Sequence, residues 1–144
     1  MIWYAAHLLF YVKLKHKRHQ RYSVWENIVL ISAKTEDEAF AKAEKRGWND
    51  SCMAPDDSFT WCGEPAEWVF AGVRKLTLCQ EEKHRPDDGT EVSYLELEVP
   101  SKAALDKLIA GEPVTVRIED GFADEDVAEE LAASVGSPRR RLAK

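Results

Sequence analysis

The 144-residue chain is long enough to bury one hydrophobic core without disulfides or metals, and its net charge is −6. With 44% apolar and 32% charged residues it is not a disordered chain, and no apolar run approaches the roughly 18 residues of a membrane span. Its three cysteines are too few and odd in number for a disulfide framework, so we expect a cytoplasmic protein. The first apolar segment has neither the basic start nor the cleavage site expected of a secretion signal.

Positive charge is concentrated in two short stretches that contain no acidic residue. Nine of the 20 Lys and Arg residues lie there, five of them within residues 13–21 and four within residues 139–144. The other parts of the chain hold 11 basic residues against 26 acidic ones. Such a separation creates fields of opposite sign on one small body, which affects the choice and orientation of partners but not the fold.

The first two segments alternate as strands do. Residues 4–14 carry an apolar side chain at every second position, with Trp3, His7 and Tyr11 on the other face. The basic residues that follow predict an exposed hairpin loop. A second strand is predicted near residues 24–33, and its centre is apolar on both faces, which is typical of a central strand covered from both sides.

The next segment has the signals of a helix. Thr35 is a predicted N-cap, and Glu38 completes a capping box three residues later. Gly47 follows two basic residues and predicts the end of this helix.

The second half of the chain repeats strand and helix signals. Ser101 predicts the N-cap of a second helix that ends at Gly111. The strands are predicted over residues 59–62, 67–78, 90–99 and 114–119.

The resulting order is β-β-α-β-β-β-α-β, which predicts an α+β fold. We expect a single twisted, mainly antiparallel sheet with both helices on one face. Residues 1–119 are expected to form this single domain. Residues 120–144 predict a weakly helical appendage and then a disordered basic tail.

Several segments resemble one bacterial family. They are Trp3-Tyr4-Ala5-Ala6-His7-Leu8, Val24-Trp25-Glu26-Asn27-Ile28-Val29-Leu30-Ile31, Asp37-Glu38-Ala39-Phe40, Trp68-Val69-Phe70-Ala71-Gly72-Val73-Arg74-Lys75 and Gly111-Glu112-Pro113-Val114. Together they resemble the bacterial domain of unknown function numbered 4288, over about residues 2–119. The resemblance implies a small bacterial protein. It supplies no activity and no catalytic residues.

The sheet face without helices is the predicted partner-binding surface. Exposed aromatic residues on such a face are typical of protein interfaces, and nearby cations steer the approach of an acidic partner. The expected occupant is a protein partner or a second copy of the chain. The residues of this surface are Trp3, Tyr11, Lys13, Lys15, Lys17, Arg18, Arg21 and Trp25.

The basic loop leaves two other interpretations open. Five cations within residues 13–21 could bind phosphate groups or nucleic acid, with an affinity that falls steeply as salt rises. Alternatively, the loop is a solvated hairpin tip whose charges discourage edge-to-edge pairing of strands.

The entry to the second strand carries two polar residues. Alternation places Glu26 with Ile28 and Asn27 with Trp25, so one of the two polar side chains is partly buried and needs a partner. Arg74 and Arg117 are the candidates for an ion pair with Glu26. The alternative is a small-molecule pocket, in a sensor or an enzyme, formed by Glu26, Asn27, Trp68 and Arg74.

The sequence offers no pattern for a metal, a cofactor or a nucleophile. Cys52, Cys62, Cys79 and His84 lack the closely spaced ligand pairs of structural zinc. A nucleophile elbow and a Gly-rich phosphate loop are both missing. The sequence therefore predicts a small binding or accessory protein without catalysis, of inhibitor or immunity type, with no cofactor, no metal and no membrane contact.

Overall fold

The computed structural model describes residues 1–51, 58–79 and 85–119. Their elements are β1 Ile2–Leu14, β2 Val24–Ala33, α1 Glu36–Ser51, β3 Thr60–Trp61, β4 Glu64–Leu78, β5 Glu96–Glu98, α2 Lys102–Ile109 and β6 Arg117–Glu119. The predicted order of elements and the α+β class are confirmed. The appendage predicted for residues 120–144 lies outside the described residues.

The chain divides into two compact units, where the sequence predicted one domain over residues 1–119. The first unit is residues 1–93 and the second begins at Tyr94. The strands likewise belong to two antiparallel sheets instead of one, a four-stranded sheet of order β2-β1-β4-β3 and a two-stranded sheet of β5 and β6. In the second unit, the Ser101 side chain accepts the Ala104 N–H at 3.1 Å and caps α2 as predicted.

The strand predicted over residues 90–99 is shortened to Glu96–Glu98. Val92 and Ser93, the last residues of the first unit, contact its strands: the Cys79 thiol donates to the Val92 carbonyl at 3.4 Å, and Ser93 bonds the His7 ring. Because these residues belong to the first unit, the strand that remains is confined to the second.

Strand β1 is one of the two inner strands of the four-stranded sheet. It pairs antiparallel with β2 from Ile2 opposite Ala33 to Tyr11 opposite Val24, without a register shift. On its other side it pairs antiparallel with β4, with irregularities after His7 and Leu9. Alternation along β1 was therefore a true strand signal, and the strand's central position explains why most of its residues are buried.

One face of this sheet packs against α1 and forms the hydrophobic core. Ala6, Leu8 and Phe10 of β1 are fully buried there, together with Ala43 of α1 and Phe70 of β4. The β1 positions alternate along the strand, and the buried residues of α1, Ala39, Ala43 and Gly47, recur every four residues. Burial of apolar surface therefore selects this orientation of both elements.

The helix α1 begins where the sequence predicted and ends later. Thr35 Oγ1 accepts the Glu38 N–H at 3.2 Å, and the Glu38 carboxylate accepts the Lys34 N–H at 2.9 Å. Gly47 does not terminate the helix, which continues to Ser51. The glycine serves close packing instead, because a β-carbon at position 47 would lie 2.2 Å from Phe70 Cε2.

Neither α1 nor α2, the helices of the described ranges, has the length and apolar character needed to cross a bilayer.

Candidate functional site

The face of the four-stranded sheet opposite α1 is here called the reverse face. The register places Trp3, His7 and Tyr11 of β1 on it, next to Ser32, Ile28 and Val24 of β2 respectively. Trp3 and Tyr11 are half-buried and Lys13 is exposed. Trp3, Tyr11 and Lys13, the residues of β1 in the predicted partner-binding surface, therefore share one face.

The middle of the reverse face is covered and not open as predicted. His7 has an exposed fraction of 0% and Lys75, its neighbour on β4, of 6%. Ala5 is also fully buried. Ser93 contributes to this cover through its bond to His7, so the predicted open face is reduced to its margins.

A polar network links three strands and the end of the first unit beneath this cover. Glu26 Oε1 accepts from His7 Nδ1 at 2.6 Å and from Arg74 Nε at 2.8 Å, and Arg74 Nη2 lies 2.6 Å from the same oxygen. Ser93 Oγ bonds His7 Nε2. Arg74 is 12% and Glu26 20% exposed, so each compensates a charge of the other that burial would otherwise leave unpaired.

The charge state of His7 follows from its surroundings. Burial lowers the pKa of His7 below its usual value of 6.5, and the charges of Lys75 and Arg74 add to the lowering, against the opposing hydrogen bond and charge of Glu26. The ring is therefore neutral near pH 7. Glu26 can only accept, so His7 Nδ1 carries the proton, and Nε2 accepts the hydroxyl proton of Ser93.

The connection Ser93–His7–Glu26 has the order of a nucleophile, a base and an orienting carboxylate. In a hydrolytic triad the imidazole must also pass its proton to the leaving group of the substrate. His7 has no accessible surface for that contact, and Arg74 engages the carboxylate from a second side. The geometry therefore favours a structural role, in which the network fastens Ser93 onto the sheet.

The largest apolar side chains of the reverse face that remain exposed lie on β2. Val24, Ile28 and Leu30, here called the apolar stripe, are 55%, 46% and 44% exposed. The sequence predicted a central strand because residues 28–31 are apolar on both faces, but β2 is an edge strand of the sheet and pairs only with β1 within the described ranges. The prediction was wrong because apolar residues on both faces of a strand carry no information on how many neighbouring strands pair with it.

The edge of β2 lacks most of the protection that edge strands normally carry. Its ten residues include no proline, no lysine and no bulge, and its one charge, Glu26, is bound by His7 and Arg74. Lys42 of α1 reaches one backbone group near the C-terminal end, where its Nζ donates to the Ser32 carbonyl at 2.8 Å.

The pocket predicted from four residues is divided between the two faces. Glu26 and Arg74 meet on the reverse face, which confirms the predicted ion pair. Asn27 aligns with Leu8 and Trp68 with Val12, so both belong to the face of α1. Arg117, the other candidate partner of Glu26, instead pairs with Glu119 at 2.8 Å.

Trp25 is also on the α1 side, opposite to Trp3 and Tyr11. It aligns with Phe10 and contacts two other tryptophans edge-on, Trp61 at 5.3 Å and Trp68 at 5.1 Å between ring centroids. The separation from Trp3 follows from the pleat, since neighbouring positions on a strand point to opposite faces. Trp25 therefore belongs to an aromatic cluster that extends the core.

The basic loop is held by contacts within the first unit. Lys17 Nζ lies 2.7 Å from Glu64 Oε1, and both are exposed, so the pair contributes little to stability. His19 Nε2 accepts the Leu14 N–H at 2.8 Å, and its ring stacks on Tyr22 at 4.5 Å. The predicted cations that are exposed here are Lys13, Lys17, Arg18 and Arg21, whereas Lys15 is half-buried.

Sequence reasoning missed two parts of this site. Ser93 had no local signal, because its contact with His7 joins residues 86 positions apart. The exposure of the apolar stripe was not predicted, because a strand with apolar residues on both faces was assumed to be covered on both. Within residues 1–51, 58–79 and 85–119, no group of three His, Cys, Asp or Glu side chains is arranged to hold a metal ion.

Comparison with known proteins assigns the first unit to a family. No curated protein and no solved structure matches the chain. A family model described as "Domain of unknown function (DUF4288)" matches residues 3–93, which is most of the chain and coincides with the first unit. The match ends before the resemblance expected over residues 111–114. The chain therefore belongs to the DUF4288 family.

Proposed function

We propose that this chain is a protein-binding module that works through the edge of β2. The observation that carries the proposal is the apolar stripe, three large side chains exposed on one face of a long edge strand. Such an edge offers unpaired backbone groups and apolar surface together, which is the chemistry of strand addition by a partner.

The network beneath the reverse face supports this proposal. Glu26 is the residue that would otherwise protect the edge with a charge, and it is bound to His7 and Arg74 inside the sheet. The partner strand therefore meets no unpaired carboxylate in the middle of β2. The arrangement keeps the edge regular and its central section apolar.

The compartment and the origin are part of the same proposal. Cys62 and Cys79 are both free thiols, one exposed and one buried, which agrees with a reducing bacterial cytoplasm. The bacterial origin rests on the family resemblance.

The test compares the capture of proteins from a bacterial extract by immobilised variants. The native chain and Thr60→Lys are expected to retain the same stoichiometric protein, whereas Leu30→Lys loses it. Thr60 is exposed on β3, the opposite edge of the sheet, so its variant controls for added charge. Capture that survives Leu30→Lys, or capture of nucleic acid alone, would contradict the proposal.

A further inference from the structure

We infer that the occupant of the β2 edge is a second copy of this chain, paired antiparallel so that two sheets become one. This inference rests on the proposed function and names its partner. In a closed pair with twofold symmetry, the same surface of both copies must be complementary to itself.

Charge is distributed along β2 as this symmetry requires. Immediately before the strand lies the basic loop, in which Arg18 and Arg21 are exposed. After the strand come Lys34 and Thr35, and then the first turn of α1, which carries Glu36, Asp37 and Glu38 and so outweighs the single lysine. Antiparallel pairing brings the basic end of each copy to the acidic end of the other, whereas parallel pairing would bring like charges together.

The apolar stripe selects the register. When the symmetry axis passes through Val29, Ile28 of one copy lies opposite Leu30 of the other, on the reverse face of both. An axis through Ile28 would instead place Leu30 opposite Glu26. The first register pairs apolar side chains directly, which is the contact that stabilises antiparallel strands.

The same register agrees with the two polar contacts at the edge. Lys42 occupies the Ser32 carbonyl near the end of the strand. With the axis at Val29, the shared ladder therefore spans residues 27–31. Glu26 of one copy then lies opposite Ser32 of the other, and its charge is balanced within its own subunit by Arg74. No carboxylate of one strand faces a carboxylate of the other.

The first measurement is the mass of the purified full chain by light scattering as the concentration is varied. The native chain is expected to be a dimer at micromolar concentration. Ile28→Lys and Leu30→Glu are each expected to raise the dimer dissociation constant about tenfold or more, because each places a charge in the apolar ladder. Thr60→Lys on the opposite edge is expected to leave it unchanged.

The second measurement tests the register by mixing Ile28→Lys with Leu30→Glu in equal amounts. In the inferred pair, the ammonium group introduced by the first variant faces the carboxylate introduced by the second. The mixture is therefore expected to form a heterodimer more stable than either homodimer. Dimers that resist both single substitutions, or a mixture without rescue, would overturn the inference.

A monomeric native chain would overturn the inference too. The proposed function would still stand if that monomer captured another protein in a Leu30-dependent way. Without such capture, both the inference and the proposed function would fall.

Discussion

Gly47 of α1 lies directly against the ring of Phe70 on β4, so close that a β-carbon at position 47 would come within 2.2 Å of Phe70 Cε2. A glycine inside a helix weakens it by about 1 kcal/mol relative to alanine. Here the missing side chain allows the helix to approach the sheet. Gly47 does not have the positive φ of a helix-ending glycine, and α1 continues to Ser51.

Gly47→Ala is therefore expected to destabilise the protein despite the better helix propensity of alanine. Overpacking of a core costs about 1–3 kcal/mol, more than the propensity gain in most of that range. The measurement is urea unfolding followed by tryptophan fluorescence. In the background Phe70→Leu, which shortens the opposing side chain, the same substitution should cost less. Equal costs in both backgrounds would show that the contact is not the cause.

The stability of the protein should fall as the pH is lowered below about 6.5. Burial holds the pKa of His7 below that usual value in the folded protein. The unfolded chain then binds more protons than the folded one as the pH falls, so the free energy of unfolding decreases. Unfolding curves between pH 5 and 8 should show a smaller pH dependence in His7→Gln. His16→Gln, in the exposed loop, should retain the native slope.

Removal of Arg74 should destabilise the fold more than removal of the whole ion pair. Arg74→Met leaves the Glu26 carboxylate largely buried without its cation, and breaking such pairs costs about 3–5 kcal/mol when burial is complete. Glu26 is 20% exposed, so we expect the lower end of this range. The double variant Arg74→Met with Glu26→Gln should recover part of the loss. Thermal unfolding measures both, and additive losses would rule out direct coupling.

Ser93 should hold the end of the first unit on the sheet through its hydrogen bond to His7, and it should not act as a nucleophile. A fluorophosphonate probe is expected to leave Ser93 unmodified in intact-mass analysis, because His7 cannot reach a bound acyl or phosphonyl group. Ser93→Ala should cost about 1 kcal/mol, the usual value of one hydrogen bond. Hydrogen exchange near Val92 should rise in this variant. Stoichiometric labelling of Ser93 would instead demonstrate an activated nucleophile.

Local signals in the sequence were sufficient for the order of the elements. Alternation identified β1, and the residues before each helix gave the caps at Thr35 and Ser101, because a strand's period and a capped first turn depend on neighbouring residues. The pairing of Glu26 with Arg74 was also predictable, since a charge at an apolar strand entry requires an opposite charge. The prediction for Gly47 was wrong because glycine is favoured both at the end of a helix and where a helix packs closely against a sheet.

What the sequence determined by itself is the set of strands and helices and the chemistry available to each, because those properties repeat over a few residues. The tertiary structure alone decided that β2 is an edge strand and that Ser93 returns to cover His7. Both depend on which distant segment lies beside β1, and His7 finds partners 19 and 86 residues away. A periodic pattern contains no information on such long-range neighbours, so the exposed stripe and the buried network emerged only from the folded chain.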